Sequence, residues 1–250
     1  MVAAGIRKVF MEEKKEEKNK INMMDMLKAG VHFGHKKSKK HPKMDDYVFG
    51  IRNGISIIDL SKTKNKLSEA SDFVKKTSTN GGTILFVGTK RQASKIVEAA
   101  AKRCDMPYVS ERWLGGTFTN FDKILIGRKR LESLIEQKES GELQKKYTKK
   151  EIGEISREMK RLEIKFGGIK KMNKIPEAVF IVDIQEEETA LLESIAKNVP
   201  VIAITDTNTN PSKIEFPIPA NDDAIRSIEL ITNIIADAVI EGRANKPQAA

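Results

Sequence analysis

The chain is poor in the residues that carry thiolate, metal and acyl-transfer chemistry. Its one cysteine, Cys104, excludes an intrachain disulfide and a cysteine-built zinc knuckle, and fits a reducing compartment. Its three histidines, His32, His35 and His41, fall in one short stretch, so no Ser-His-Asp or Cys-His set stands out. No uninterrupted apolar run is long enough to span a bilayer. The N-terminal region lacks the apolar centre of a signal peptide. It reads MEEKKEEKNK over residues 11–20, a mixed-charge run expected to be disordered or a frayed helix.

What the chain does have is positive charge, unevenly placed. At 250 residues, with 39% hydrophobic and 32% charged residues, it can bury a full core under a very polar surface. The net charge is +10, which makes an acidic partner the default. Residues 1–175 carry a net +18 and residues 176–250 a net −8. Such a split is expected of a protein with one face on a polyanion and another in solvent. Residues 26–43, MLKAGVHFGHKKSKKHPK, concentrate the effect in Lys36, Lys37, Lys39, Lys40 and Lys43 together with all three histidines. Lysines at this density repel one another unless water or a polyanion separates them. The segment therefore reads either as a solvated loop or as a basic arm, held against a folded body, that neutralises phosphates.

Apolar patterning gives the scaffold. Residues 25–29 form a short helix ended by Gly30. Residues 47–51 and 55–58 form a β-hairpin around Asn53-Gly54. Ser61 is positioned to cap a helix running to residue 79. Residues 83–87, 177–182 and 199–204 are short, almost wholly apolar strands, as parallel strands covered on both faces are. Helices over 92–103, 187–197 and 224–241 separate them, with a further short strand at 106–109 and a Pro-interrupted edge strand at 216–220. Alternating strands and helices predict a parallel sheet with helices on both faces. Residues 120–174 interrupt that rhythm. Leu131, Leu134, Ile135, Ile152, Ile155, Met159, Leu162 and Phe166 recur at helical spacing, which predicts two amphipathic helices. They form either an ordinary helical subdomain or a protruding coiled-coil hairpin.

The strand ends are where such a sheet binds ligands. Gly88-Thr89-Lys90-Arg91 follows the first parallel strand, but neither GxxxxGK[ST] nor GxGxxG is present. Asp183 and Asp206 follow later strands. They suit helix caps, or an enzyme or sensor for a phosphorylated small molecule. A metal site built from His32, His35 and His41 is disfavoured by the surrounding lysines and the lack of carboxylates in that segment. No catalytic residue, metal or cofactor is assigned. The segment ERWLGGTFTNF at 111–121 holds the only tryptophan, Trp113, with Arg112, Gly115, Gly116, Thr117, Thr119 and Asn120. It reads equally as a structural loop around a core tryptophan and as an RNA contact of stacking, close backbone approach and neutral hydrogen bonds.

Five segments together resemble the bacterial-type family of ribosomal protein S-two of the small subunit: residues 27–35 with 42–44, residues 88–92, the 111–121 loop, residues 176–183 and residues 204–208. They occur in that family's order across roughly residues 23–242. The resemblance implies a flavodoxin-like, doubly wound α/β fold with an N-terminal basic arm and β-hairpin and an inserted coiled-coil helical hairpin. Its expected divisions are 1–22 as a charged extension, 23–125 with 174–242 as the α/β domain, 126–173 as the hairpin and 243–250 as a tail. It also implies a non-catalytic structural role in the cytoplasmic ribosome, against small-subunit ribosomal RNA near the head–body junction. Neighbouring small-subunit proteins, with ribosomal protein S-one as a candidate, are the expected partners; a membrane and a small-molecule substrate are not expected. The RNA-contact set is Lys36, Lys37, Lys39, Lys40, His41, Lys43, Lys90, Arg91, Arg112, Trp113, Gly115, Gly116, Thr117, Asn120, Arg128, Lys129 and Arg130. The acidic C-terminal part is expected to face solvent or a basic protein.

Overall fold

The computed structural model describes residues 22–245, so the mixed-charge run at the start of the chain lies outside the described residues. Asn22 caps the first helix, α1 (Met23–Ala29), by accepting from the Met24 amide, and Gly30 ends it. The Lys-rich arm that follows is not a loop. It opens with a strand, β1 (Phe33–Lys36), and continues through 3-10 turns at Lys37–Lys39 and Pro42–Tyr47. Next come β2 (Val48–Arg52) and β3 (Ile55–Ile58), turned by Asn53 and Gly54, both at positive φ. β1 adds to this hairpin to make a three-stranded antiparallel sheet in the order β1-β3-β2. Nothing in Phe-Gly-His-Lys alternates, so the strand leaves no pattern in the sequence. The pairing comes from its position beside β3.

The next helix, α2 (Leu60–Thr79), is capped by Asp59, whose carboxylate accepts from the Ser61 amide at 2.9 Å. Ser61, the cap expected from the sequence, lies instead in the first turn. There follow β4 (Ile84–Val87), α3 (Ser94–Arg103) and β5 (Tyr108–Val109). The inserted helices are α4 (Phe121–Glu139), a short α5 (Glu142–Lys146) and α6 (Lys149–Phe166). The chain then resumes with β6 (Ala178–Val182), α7 (Glu188–Ala196), β7 (Val201–Thr205), β8 (Phe216–Pro219) and α8 (Ile225–Ala244). Strands β4 to β8 form one parallel sheet in the order β5-β4-β6-β7-β8. The winding is flavodoxin-like, with the order of connections reversing between β4 and β6.

Strand alternation sorts the apolar side chains into two cores. Ile84, Phe86, Phe180, Val182, Ile202, Ile204 and Ile218 meet α2, α3 and α8 on one face. Leu85, Val87, Val179, Ile181, Val201 and Ala203 meet α7, the 113–118 segment and the base of the inserted helices on the other. Every residue of β4, β6 and β7 is therefore buried. The insertion is a helical hairpin: Leu131, Leu134 and Leu143 are buried along it, and Arg130 on α4 holds Glu158 on α6 at 3.1 Å. Thr148 and Glu151 close a reciprocal cap at the start of α6. At the far edge of the sheet, the Ala220 amide donates to Thr205 at 3.1 Å, so the backbone nitrogens of Pro217 and Pro219 fall on the open side.

Phe180 is fully buried and meets Phe86 edge-on, with ring centroids 5.5 Å apart. Phe180→Ala is expected to cost about 3–5 kcal/mol of unfolding free energy, measured by urea titration. A loss under about 1 kcal/mol would contradict a sheet packed on both faces.

Candidate functional site

The carboxyl ends of the strands gather a dense set of charges. Lys90, in the loop after β4, reaches Asp183 after β6 at 2.9 Å, Asp222 after β8 at 3.5 Å and Asp223 at 2.5 Å. His35, from β1, completes the group through Asp206 at 3.1 Å and Asp223 at 3.4 Å. Glu187, also buried, accepts from the Thr89 amide at 2.6 Å, so the Gly88–Arg91 loop is fixed from below as well.

This cluster anchors the basic arm. The His35 amide donates to the Thr207 hydroxyl at 2.9 Å, and the His41 amide donates to the Thr207 carbonyl at 2.8 Å. Gly34 is required for the approach, because a Cβ there would stand 2.5 Å from the Thr207 methyl. The Asn221 amide donates to the Val31 carbonyl at 3.1 Å and its side chain to the Gly30 carbonyl at 3.3 Å. The arm is thus a rigid part of the body rather than a free tail. The three histidines do not converge. The His32 ring lies tilted against that of Phe33, His41 caps a 3-10 turn by accepting from the Lys43 amide, and among the described residues only His35 meets carboxylates. His35, Asp206 and Asp222 bring one ligand atom each within 4.8 Å of one another. The Lys90 ammonium already holds Asp222 and supplies the positive charge that a cation would bring there. The carboxylates missing from the arm come from the strand ends, where sequence reading had no means of pairing them with a histidine.

Charge regulation follows from the geometry. Burial, with Asp183 and Asp206 close by, pushes the Asp222 carboxyl up to about 8 against the pull of Lys90. The hydrogen bond to Asp206 raises His35 in spite of its partial burial, with Asp222 and Asp223 adding to the effect. Burial works against the charged form of Lys90, but hydrogen bonds to Asp223 and Asp183 outweigh it and hold the ammonium above its usual range. The hydrogen bond from Lys90 lowers Asp223.

The second feature is the 111–121 loop, organised around one carboxylate. Glu193 of α7 is 7% exposed. It accepts from the Trp113 indole at 3.1 Å and from the amides of Gly116 at 2.7 Å, Phe118 at 2.9 Å and Thr119 at 3.1 Å, as well as the Thr119 hydroxyl at 3.1 Å. Burial raises its carboxyl, and these hydrogen bonds more than reverse the effect. Trp113 meets Phe118 edge-on and is buried, and Gly116 sits at φ 91°.

The residues expected to contact RNA therefore divide. Lys36, Lys37, Lys39, Lys43, Arg91, Arg112, Gly115, Asn120, Lys129 and Arg130 are exposed. Lys40 pairs with Asp45, and Arg130 with Glu158. Lys90 is engaged by three aspartates and His41 is half-buried. Trp113, Thr117 and Arg128 are buried: Trp113 bonds Glu193, the Thr117 hydroxyl bonds the Leu114 carbonyl, and Arg128 donates to the Met172 carbonyl at 2.7 Å. These three side chains are spent inside the protein. The acidic C-terminal part is likewise turned inward in good measure. Asp183, Glu187, Glu193, Asp206 and Asp222 are buried acceptors, whereas Glu186, Glu188, Glu215, Asp223 and Glu229 of the same part are exposed. Acidic residues placed just after strands were the available signal.

Asp222 and His35 both bind their protons more tightly folded than unfolded, so the stability they contribute falls as pH rises. For Asp222 the loss runs from its ordinary 3.8 to about 8. Asp222→Asn should therefore gain Tm relative to the wild type between pH 6 and pH 9, by differential scanning calorimetry. Parallel curves would show that Asp222 is already ionised at neutral pH.

Among the described residues, no helix is long and apolar enough to cross a membrane. The fold, the pinned basic arm and the internally neutralised strand ends accompany a match to the family model described as Ribosomal protein S2 over residues 26–242. The chain belongs to that family, whose members are structural proteins of the small ribosomal subunit.

Proposed function

We propose that the chain binds small-subunit ribosomal RNA chiefly through Lys36, Lys37, Lys39 and Lys43, presented by an arm held in fixed register on the sheet. The observation that carries this reading is the combination of exposure and anchoring: the lysines are exposed, while the backbone of the arm is tied to Asn221 at Gly30 and Val31, to β3, and to Thr207 at His35 and His41. A pre-ordered cationic surface neutralises phosphates without first having to become ordered. Arg91, Arg112, Gly115, Asn120, Lys129 and Arg130 extend the contact, while Lys90, Trp113, Gly116, Thr117 and Arg128 support it from within. Exposed Phe33, Phe49 and Ile55 offer an apolar surface to a neighbouring protein. Small-subunit ribosomal proteins, with S-one as a candidate, are the partners this reading names. The role is architectural, in the cytoplasmic ribosome. The strand-end aspartates serve Lys90 and His35, which weighs against a catalytic use.

Replacing Lys36, Lys37, Lys39 and Lys43 together by Ala should reduce the slope of log affinity against log salt by about 3–4 for small-subunit RNA, read by filter binding over a potassium chloride series. An unchanged slope would remove the arm from the interface. Failure of the tagged chain to sediment with small subunits would overturn the reading as a whole.

A further inference from the structure

We propose that Glu193 is a positioning residue for RNA recognition, holding the 112–120 loop in the one conformation that presents Arg112, Gly115 and Asn120 outward. The inference rests on the RNA-binding role proposed above and adds a residue that touches no RNA.

The argument begins with the donors. Three backbone amides, of Gly116, Phe118 and Thr119, converge on one carboxylate together with the Trp113 indole and the Thr119 hydroxyl. A loop of this length cannot satisfy so many inward donors with its own carbonyls, and each would be costly to bury unpaired. Glu193 supplies the acceptors from a different element, α7, which is packed under the sheet. With the donors turned in, the opposite side of the loop faces out. Arg112 and Asn120 are exposed, and Gly115 has no atom within 4 Å of where a Cβ would lie, which is the space a partner backbone or ribose needs. Gly116 makes the turn at φ 91° that separates the inward amides from the outward Gly115.

The same geometry explains why an anion is tolerated beside a surface meant for phosphates. Glu193 is buried behind the loop with its oxygens taken by five donors, so no carboxylate oxygen is presented to a phosphate. Glutamine would fit the space, but its amide nitrogen would confront N–H groups that need an acceptor. The loop would have to open or rotate.

Trp113 is the only tryptophan, so its fluorescence reports this contact directly. The experiment compares full-length wild type, Glu193→Gln and Gly116→Ala by tryptophan emission, thermal melting and small-subunit RNA affinity over a salt series, with binding measured well below the melting temperature. Glu193→Gln is expected to shift Trp113 emission and to weaken RNA binding about tenfold, the loss of one misplaced recognition contact. The salt slope should fall by no more than about one, unlike that of the arm variant. A purely structural role would move the emission and the melting temperature but leave affinity unchanged, and that result overturns the proposal. Should Glu193→Gln fail to fold, Gly116→Ala carries the test. It strains the same loop from the other side, where a Cβ would stand 3.1 Å from that of Asn120, and it must lose affinity comparably. Wild-type chain that binds no small-subunit RNA overturns this inference together with the function it rests on. Wild-type binding with undiminished binding by the folded variants overturns this inference alone.

Discussion

A single ammonium group, that of Lys90, governs the charge balance along the carboxyl edge of the sheet. Asp183 follows β6, Asp222 and Asp223 both follow β8, and Asp206, after β7, stands close by. Without a cation among them, buried carboxylates this close would repel one another or take up protons. Lys90 ties the loop after β4 to the ends of β6 and β8, and through Asp223 it reaches His35 and so β1. The position of the basic arm therefore depends on an ion pair that lies beneath it. Buried ion pairs contribute little net stability against an apolar alternative, but breaking one by removing a partner is costly. What this one contributes is register: the arm has one place to sit.

The charge of the molecule is sorted by depth as well as by sequence. The acidic final third places five of its carboxylates inside, and four of them, Asp183, Glu187, Glu193 and Asp222, accept hydrogen bonds from loops of the basic first part. The exterior is left more cationic than the net charge alone conveys. Glu193 and Lys90 illustrate opposite uses of the same device: a buried anion organises a loop of amides, and a half-buried cation organises a ring of carboxylates.

Much of the scaffold could be read from the sequence because parallel strands buried on both faces must be apolar throughout. Residues 84–87, 178–182 and 201–205 could scarcely be anything else. The two long inserted helices were equally clear from the spacing of Leu131, Leu134, Ile155 and Phe166. β1 was not, since it pairs by proximity rather than by its own pattern. The interior role of Trp113 was evenly balanced against an RNA contact, and Glu193, 80 residues away in sequence, decides it. Side chains that work through distant partners leave little local trace. The exposed lysines of the arm needed no partner to be recognised as a charged surface.

Pro217 and Pro219, at the free margin of β8, bear on how copies of the chain meet one another. A margin strand normally offers a row of amides on which a second molecule can grow a shared sheet. At the outward positions of this strand two of those amides do not exist, and the opposite margin, β5, is only two residues long. Along the five-stranded sheet, two copies of the chain thus find little template for joining edge to edge. The backbone itself blunts both margins of the parallel sheet, so that its surface side chains need not do so.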